Sequence, residues 1–352
     1  MRSGESSIVR VLALTLLAAS ALVSAPAAAR QAAFVPVFQE NFPDAFILPV
    51  GGEFIAYATN DGENVPMATS RDLVNWSFVR DAGGAKRDAM PQLAPWVKPG
   101  FTWAPEVAKV GGRYLLYYTA NHRAQDKQCL GVAVASDPKG PFVDRSPQPL
   151  VCQFDLGGSI DANSFRDKDG KLYLYWKSDG NRIGKPSALF GVQLSTDGTA
   201  LAGKPVDLKL GDREEWKQRV IEAPTMIRTP DGLALLYSGG YFGWNDNQRL
   251  SPYAMSFALC SGPLGPCREG GNRPLLASFN DPRELGCLSG PGHQSVFSAA
   301  GGSFISFHGW ATSKSCRKAS DKRYLFVAPF GWENGKPVIA PSLRPTGQAA
   351  AR

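Results

Sequence analysis

Residues 44–60, DAFILPVGGEFIAYATN, carry two apolar runs on either side of Gly51-Gly52. A Gly-Gly pair accepts the positive φ angles that a two-residue turn requires, so the stretch predicts a β-hairpin. Four later stretches repeat the pattern: APEVAKVGGRYLLYYTAN (104–121), DANSFRDKDGKLYLYWKS (161–178), EAPTMIRTPDGLALLYSGG (222–240) and HQSVFSAAGGSFISFHGW (293–310). Their turns fall at Gly111-Gly112, Asp169-Gly170, Asp231-Gly232 and Gly301-Gly302, so the five turns are spaced by 60, 58, 62 and 70 residues. After each hairpin comes a short apolar strand, a turn of Ser, Gly, Pro or Asp, and a last strand, as in MATSRDLVNW and LFVAPFGWENGKPV.

Five units of four antiparallel strands cannot each bury both faces alone. Stacked face to face in a ring they can, which predicts an all-β, five-bladed β-propeller over residues 30–352. A two-sheet sandwich gives no reason for five similar units. In a propeller the first strand of each blade lies nearest the axis, so equivalent points on the five first strands converge. Reading back from each turn by a similar distance gives Asp44, Glu106, Asp161, Glu222 and His293. A lone acid at the start of a strand is ordinarily a turn former. Four acids and a histidine sharing one register instead predict a polar cluster at one end of the axis, where like charges push pKa values apart.

Residues 1–29 have a basic leader with Arg2 and Arg10, the apolar core VLALTLLAASALV, and small residues up to Ala29. These are the parts of a cleaved secretory signal, and the core is too short to span a bilayer. The mature chain is therefore expected to be secreted or periplasmic, without a membrane segment. Six cysteines agree with an oxidising compartment; closeness in sequence favours Cys129 with Cys152, Cys260 with Cys267, and Cys287 with Cys316. The formal charge is +7. Its basic residues are interspersed with acids, which argues against a nucleic-acid footprint.

Two carboxylates facing each other across a pocket, with no nucleophilic Ser-His pair and no phosphate loop, suit glycosidic bond hydrolysis. Aromatic residues near the acids, Phe46 beside Asp44 and Trp103 before Glu106, suit the C–H face of a sugar, with Trp176, Trp244 and Trp310 near later inner strands.

The motifs NFPDAF, TWAPEV, GGSIDANSF, VIEAPTM and GPGHQSVF, in that order and one at the head of each unit, resemble glycoside hydrolase family 43, secreted five-bladed propellers acting on arabinose- and xylose-containing polysaccharides. By position, the resemblance implies Asp44 as the general base, Glu222 as the general acid, and Asp161 as the carboxylate that orients the acid and raises its pKa, in a single inverting step. It places His293 at an axial position that often ligates calcium or another cation, and His308 at a weaker cleft-facing position. Family members commonly carry proline after the first and third acids, where this chain has Ala45 and Ala162. The expected activity is exo-acting α-L-arabinofuranosidase, with β-xylosidase, endo-arabinanase and a non-catalytic carbohydrate-binding propeller as alternatives. The expected partner is a poly- or oligosaccharide bound by a monomer.

Overall fold

In the computed structural model, the first strands of the five sheets are each packed against the next, and the fifth against the first, so they close a ring about one axis. The structure describes Met1 and residues 34–341, apart from 212–213, 245–248 and 282–285. The expected signal segment, 1–29, lies outside the described residues but for Met1. Residues 32–352 form one compact unit.

Blade one comprises Phe46–Val50, Glu53–Tyr57, Met67–Ser70 and Ser77–Phe78, antiparallel and in that order. Blade two has Val97–Val110, Arg113–His122 and Lys127–Ala135; its fourth strand is reduced to a bridge between Val134 and Val143. Blade three runs Ser159–Arg166, Leu172–Ser178, Leu189–Gln193 and Val206–Asp207, and blade four Ile221–Thr229, Gly232–Gly239, Ala254–Cys260 and Cys267–Glu269. Blade five consists of Gly292–Ala299, Gly302–Thr312, Lys318–Glu333 and Lys336–Ile339. An extra hairpin, Phe279–Asp281 with Gly286–Leu288, stands between blades four and five.

Middle strands have neighbours on both faces, which is why they read as continuous apolar runs rather than alternating ones. In RYLLYYTANH every residue after Arg113 is buried. The clusters between blades are built on aromatics: Tyr57, Trp96 and Tyr118 between blades one and two, and Trp176, stacked on Phe190, between two and three. The segment before blade one closes the ring. Phe38 bridges Leu325 on a stretch of Lys318–Glu333 that the last strand, paired at Phe330–Glu333, leaves uncovered.

The three disulfides are those favoured by sequence proximity: Cys129–Cys152, Cys260–Cys267 and Cys287–Cys316. The last ties the extra hairpin to blade five.

One backbone feature repeats fivefold. Asp44, Ala104, Asp161, Ala223 and His293 all have φ between 44° and 60°, a left-handed conformation that costs a non-glycine residue of order 1 kcal/mol or more. The pairing register shifts across it at Trp103/Glu106, Ile160/Asn163, Glu222/Thr225 and Gly292/Ser295, so it marks a β-bulge that re-aims the side chains around it. This corrects the register expected from the turns. Asp44, Asp161 and His293 are equivalent; Ala104 and Ala223 hold the matching places in blades two and four. Glu222 precedes its bulge residue and Glu106 lies two beyond its own, so the two acids project differently from the other three side chains.

Candidate active site

Above the bulges the ring opens into a cavity of about 790 Å³. Asp44 and Thr59 reach it from blade one, Trp103 from blade two, Asp161 and Lys177 from blade three, Glu222 from blade four, and His293 and Arg323 from blade five. Below it, a void of about 20 Å³ continues down the axis, lined by the bulge residue and the two after it from every blade. Phe46 and Glu106 belong to this lower void, so neither stands in the cavity where substrate contact was expected. Glu106 is turned toward blade three, where its carboxylate accepts hydrogen bonds from the Ser164 amide (2.6 Å) and hydroxyl (2.7 Å). Burial pushes its pKa up to about 7 against those bonds.

Asp44 is enclosed by donors. Its Oδ2 accepts from Thr59 Oγ1 at 2.6 Å, and its Oδ1 lies 2.9 Å from an Arg323 guanidinium nitrogen, 3.1 Å from His308 Nδ1 and 3.5 Å from His293 Nδ1. Burial works to raise its pKa, but Arg323, His293 and His308 together hold it well below the usual carboxylate range. Asp44 is therefore ionised at any working pH. The alanine that follows it is fully packed, and its carbonyl accepts from Ser306 Oγ at 3.2 Å. In blades two and four the same place is held by Pro105 and Pro224; the left-handed turn forms at Asp44 and Asp161 without proline.

Glu222 is held by two donors: Lys177 Nζ at 2.9 Å from Oε2, and the Tyr253 hydroxyl at 2.7 Å from Oε1. Asp161 accepts from the Ala223 amide at 3.1 Å, and its own amide donates to Thr119 Oγ1. Burial raises Asp161 to about 7, with the neighbouring Glu222 adding to the effect and His293 and Lys177 opposing it. Glu222 moves the other way: Lys177 and Tyr253 overcome its burial and lower its pKa. The Lys177 ammonium favours the Glu222 anion, the opposite direction to the raised pKa expected of a general acid.

His308 is fully buried rather than cleft-facing. Its Nδ1 meets Asp44, and its ring stacks on Tyr253 (centroids 5.6 Å apart, 11° between planes), so a Tyr-His stack joins the supports of Asp44 and Glu222. Burial, with Arg323 adding to it, lowers its pKa to about 4, and the ring is neutral.

Comparison with known proteins matches residues 34–337 to the family described as "Glycosyl hydrolases family 43". The chain belongs to glycosyl hydrolase family 43. It is a glycosidase that hydrolyses O-glycosyl bonds. Among relatives of this family 43 chain, "Extracellular endo-alpha-(1->5)-L-arabinanase 2" of Bacillus subtilis is 23% identical over 360 residues, 87% of this chain and 72% of the relative. "Xylosidase/arabinosidase 43A" of Humicola insolens is 39% identical over 85 residues, 23% of each chain. In structure, a thermostable family-43 glycoside hydrolase superposes with a TM-score of 0.73 at 22% identity, covering 89% of this chain and 98% of its own. The endo-arabinase of Bacteroides thetaiotaomicron gives 0.65 at 23%, covering 87% and 100%.

Several residues of this family 43 site were not found from sequence. Arg323 reads as one more charge in the basic run RKASDKR (317–323), yet it bridges Asp44 to the exposed ring of Phe242, 5.3 Å from its guanidinium. Lys177 did leave a signal, as a lone cation in the buried strand LYLYWKS. Phe101, Tyr241 and Phe242 are about two-fifths exposed and line the cavity from blade two and from the segment after blade four's second strand. Of the aromatics expected near sugar, Trp103 lines the cavity, while Trp176 is a fully buried core residue. Trp244 and Trp310 pack edge to face, and Trp310 donates its indole N–H to the Phe242 carbonyl, so they brace the aromatic wall.

Among the described residues no three His, Cys, Asp or Glu side chains are grouped as metal ligands. His293 lines both the cavity and the void below it, the axial place of the expected cation.

Proposed function

We propose that this family 43 chain is an exported, inverting exo-α-L-arabinofuranosidase that releases terminal arabinose from arabinan or arabinoxylan fragments. The observation that carries this is the meeting of Asp44, Asp161 and Glu222 in one cavity, with exposed aromatic rings on two non-adjacent blades. Asp44, held ionised, takes a proton from water as the water oxygen attacks the anomeric carbon. The glycosidic C–O bond breaks on the other side, and its oxygen leaves with the proton carried by Glu222. Asp161 accepts from the Ala223 amide and so orients the turn that carries Glu222.

Walls from blades two to five favour a terminal sugar: Phe101 stands on one side, Tyr241 and Phe242 on the other, and residues 181–182 on blade three. Endo-arabinanase is the second reading, favoured by the printed activity of the Bacillus subtilis and Bacteroides relatives. Three disulfides and the extracellular relative support export.

The test is purified protein on nitrophenyl α-L-arabinofuranoside, nitrophenyl β-xyloside and linear arabinan, beside D44N and E222Q, with products sized. Free arabinose from the chain end, lost in both variants, is expected. Early release of mixed oligosaccharides establishes the endo reading, xyloside turnover alone establishes a xylosidase, and activity surviving both substitutions overturns the catalytic roles.

A further inference from the structure

Two lysines of this chain are almost wholly buried, and they differ in what they touch. Lys217, with a side chain 1% exposed, pairs with Glu214 at 2.8 Å and Glu269 at 2.7 Å and lines no part of the cavity. Lys177, 2% exposed, sits near the end of blade three's second strand and lines the cavity, with Nζ 2.9 Å from Glu222 Oε2 and 3.5 Å from Asp179 Oδ1. A buried ammonium needs compensating charge, and either pair satisfies that need. Only Lys177 finds it on a carboxylate that the reaction requires in its protonated form.

We propose that Lys177 is a positioning residue that sets the pH at which this site loses its acid: it holds Glu222 in the resting state and passes to Asp179 when Glu222 takes the proton. This rests on the reading of Glu222 as the general acid. Glu222 is faced by Lys177 from blade three, by Tyr253 from blade four, and by Asp161 and His293 at the bulges of blades three and five. Lys177 is faced by Glu222, Asp179 and Asp161. Lys177 has a second carboxylate, Asp179, already 3.5 Å from its ammonium. In the step itself, Glu222 takes up one proton from solvent while the ammonium stays protonated and shifts its contact to Asp179. No bond to carbon changes, and charge is conserved.

The sign is fixed by the arrangement. An ammonium beside a carboxylate favours the anion, commonly by one to three pKa units, so its removal raises the pKa of the Asp161/Glu222 pair. The alkaline limb of kcat/KM in K177Q is expected about one unit or more higher than in the parent protein. Asp179 competes for the ammonium and repels the pair, so D179N is expected to move the limb in the opposite direction. K177R keeps the charge and should leave the limb near its original place. K217Q should lower the melting temperature without moving the limb, as a purely structural lysine would.

The experiment is the pH profile of kcat/KM for the full mature chain and these four variants on nitrophenyl arabinofuranoside or whichever glycoside it cleaves, with melting curves alongside. Opposite shifts in K177Q and D179N support the proposal. An unmoved limb in both, or shifts of the same sign, overturns it; should K177Q fail to fold, the sign in D179N decides. E222Q separates this from the catalytic reading: an active E222Q sinks the reading itself, whereas an inactive E222Q with unmoved limbs sinks only the role of Lys177.

Discussion

Asp44 and Glu222 are both buried carboxylates paired with a cation, Arg323 for one and Lys177 for the other, yet they are built for opposite tasks. Around Asp44 stand the Thr59 hydroxyl and the Arg323 guanidinium as donors, with both histidine rings beside it and the Asp44 amide donating to His308 Nδ1. Glu222 has Asp161 close by, a second acid whose pKa burial raises while Lys177 lowers that of Glu222. A cation beside a lone carboxylate fixes its charge. Beside two neighbouring acids, the same kind of cation favours the anion of the one it touches.

The largest expected effects come from breaking that contrast outright. D44N and E222Q should each lower kcat/KM on natural linkages by about 10²–10⁴-fold, the usual range for losing a general base or acid. They should then part company on a substrate with a dinitrophenolate leaving group, which needs no proton. E222Q should regain much of its rate there and D44N should not; equal recovery in both would mean the roles are not divided as described.

Next in size is R323Q. With the guanidinium gone, burial acts on Asp44 with less opposition, and its pKa should rise. The base must be ionised, so the acid limb of kcat/KM should climb into the measurable range, and an acid limb identical to the parent's would show that Arg323 does not hold Asp44 down. Smaller again are the aromatic walls: F101A should raise KM for arabinan about 2- to 10-fold, equivalent to about 0.5–1.5 kcal/mol per ring. F242A should do the same and also shift the acid limb, because Phe242 packs on Arg323. A shift in F101A instead would break that link.

Glu106 sharpens the comparison from outside the cavity. It is the third kind of acid on the axis, buried and hydrogen-bonded only to Ser164. Its folded pKa of about 7 stands above its ordinary value of 4.5, so its contribution to stability is fully present below about pH 4.5 and is lost as pH rises through 7. E106Q should leave kcat/KM unchanged and melt higher than the parent protein at pH 8 but not at pH 5. A large loss of activity would return Glu106 to the site.

The fold was legible because tight turns carry a local chemical signature: Gly51-Gly52 and Gly111-Gly112 fall between paired strands as expected. The blade count follows from those turns alone. Register was less legible, since a bulge inserts residues without changing composition; hence counting back from the turn aligns Glu106 with Asp44 although Ala104 holds that place. The cations were least legible. Arg323 looks like surface charge until the ring closes blade five against blade one, and its partner Asp44 lies 279 residues away.

The central claim is that Asp44 activates water while Glu222 protonates the leaving oxygen in one step. Proton NMR during the first minutes of hydrolysis of an α-L-arabinofuranoside tests it most directly, by the configuration of the sugar first released. Inversion, with the β anomer appearing before mutarotation, is the predicted result. The α anomer appearing first would mean that a carboxylate attacks carbon directly, and would contradict the account.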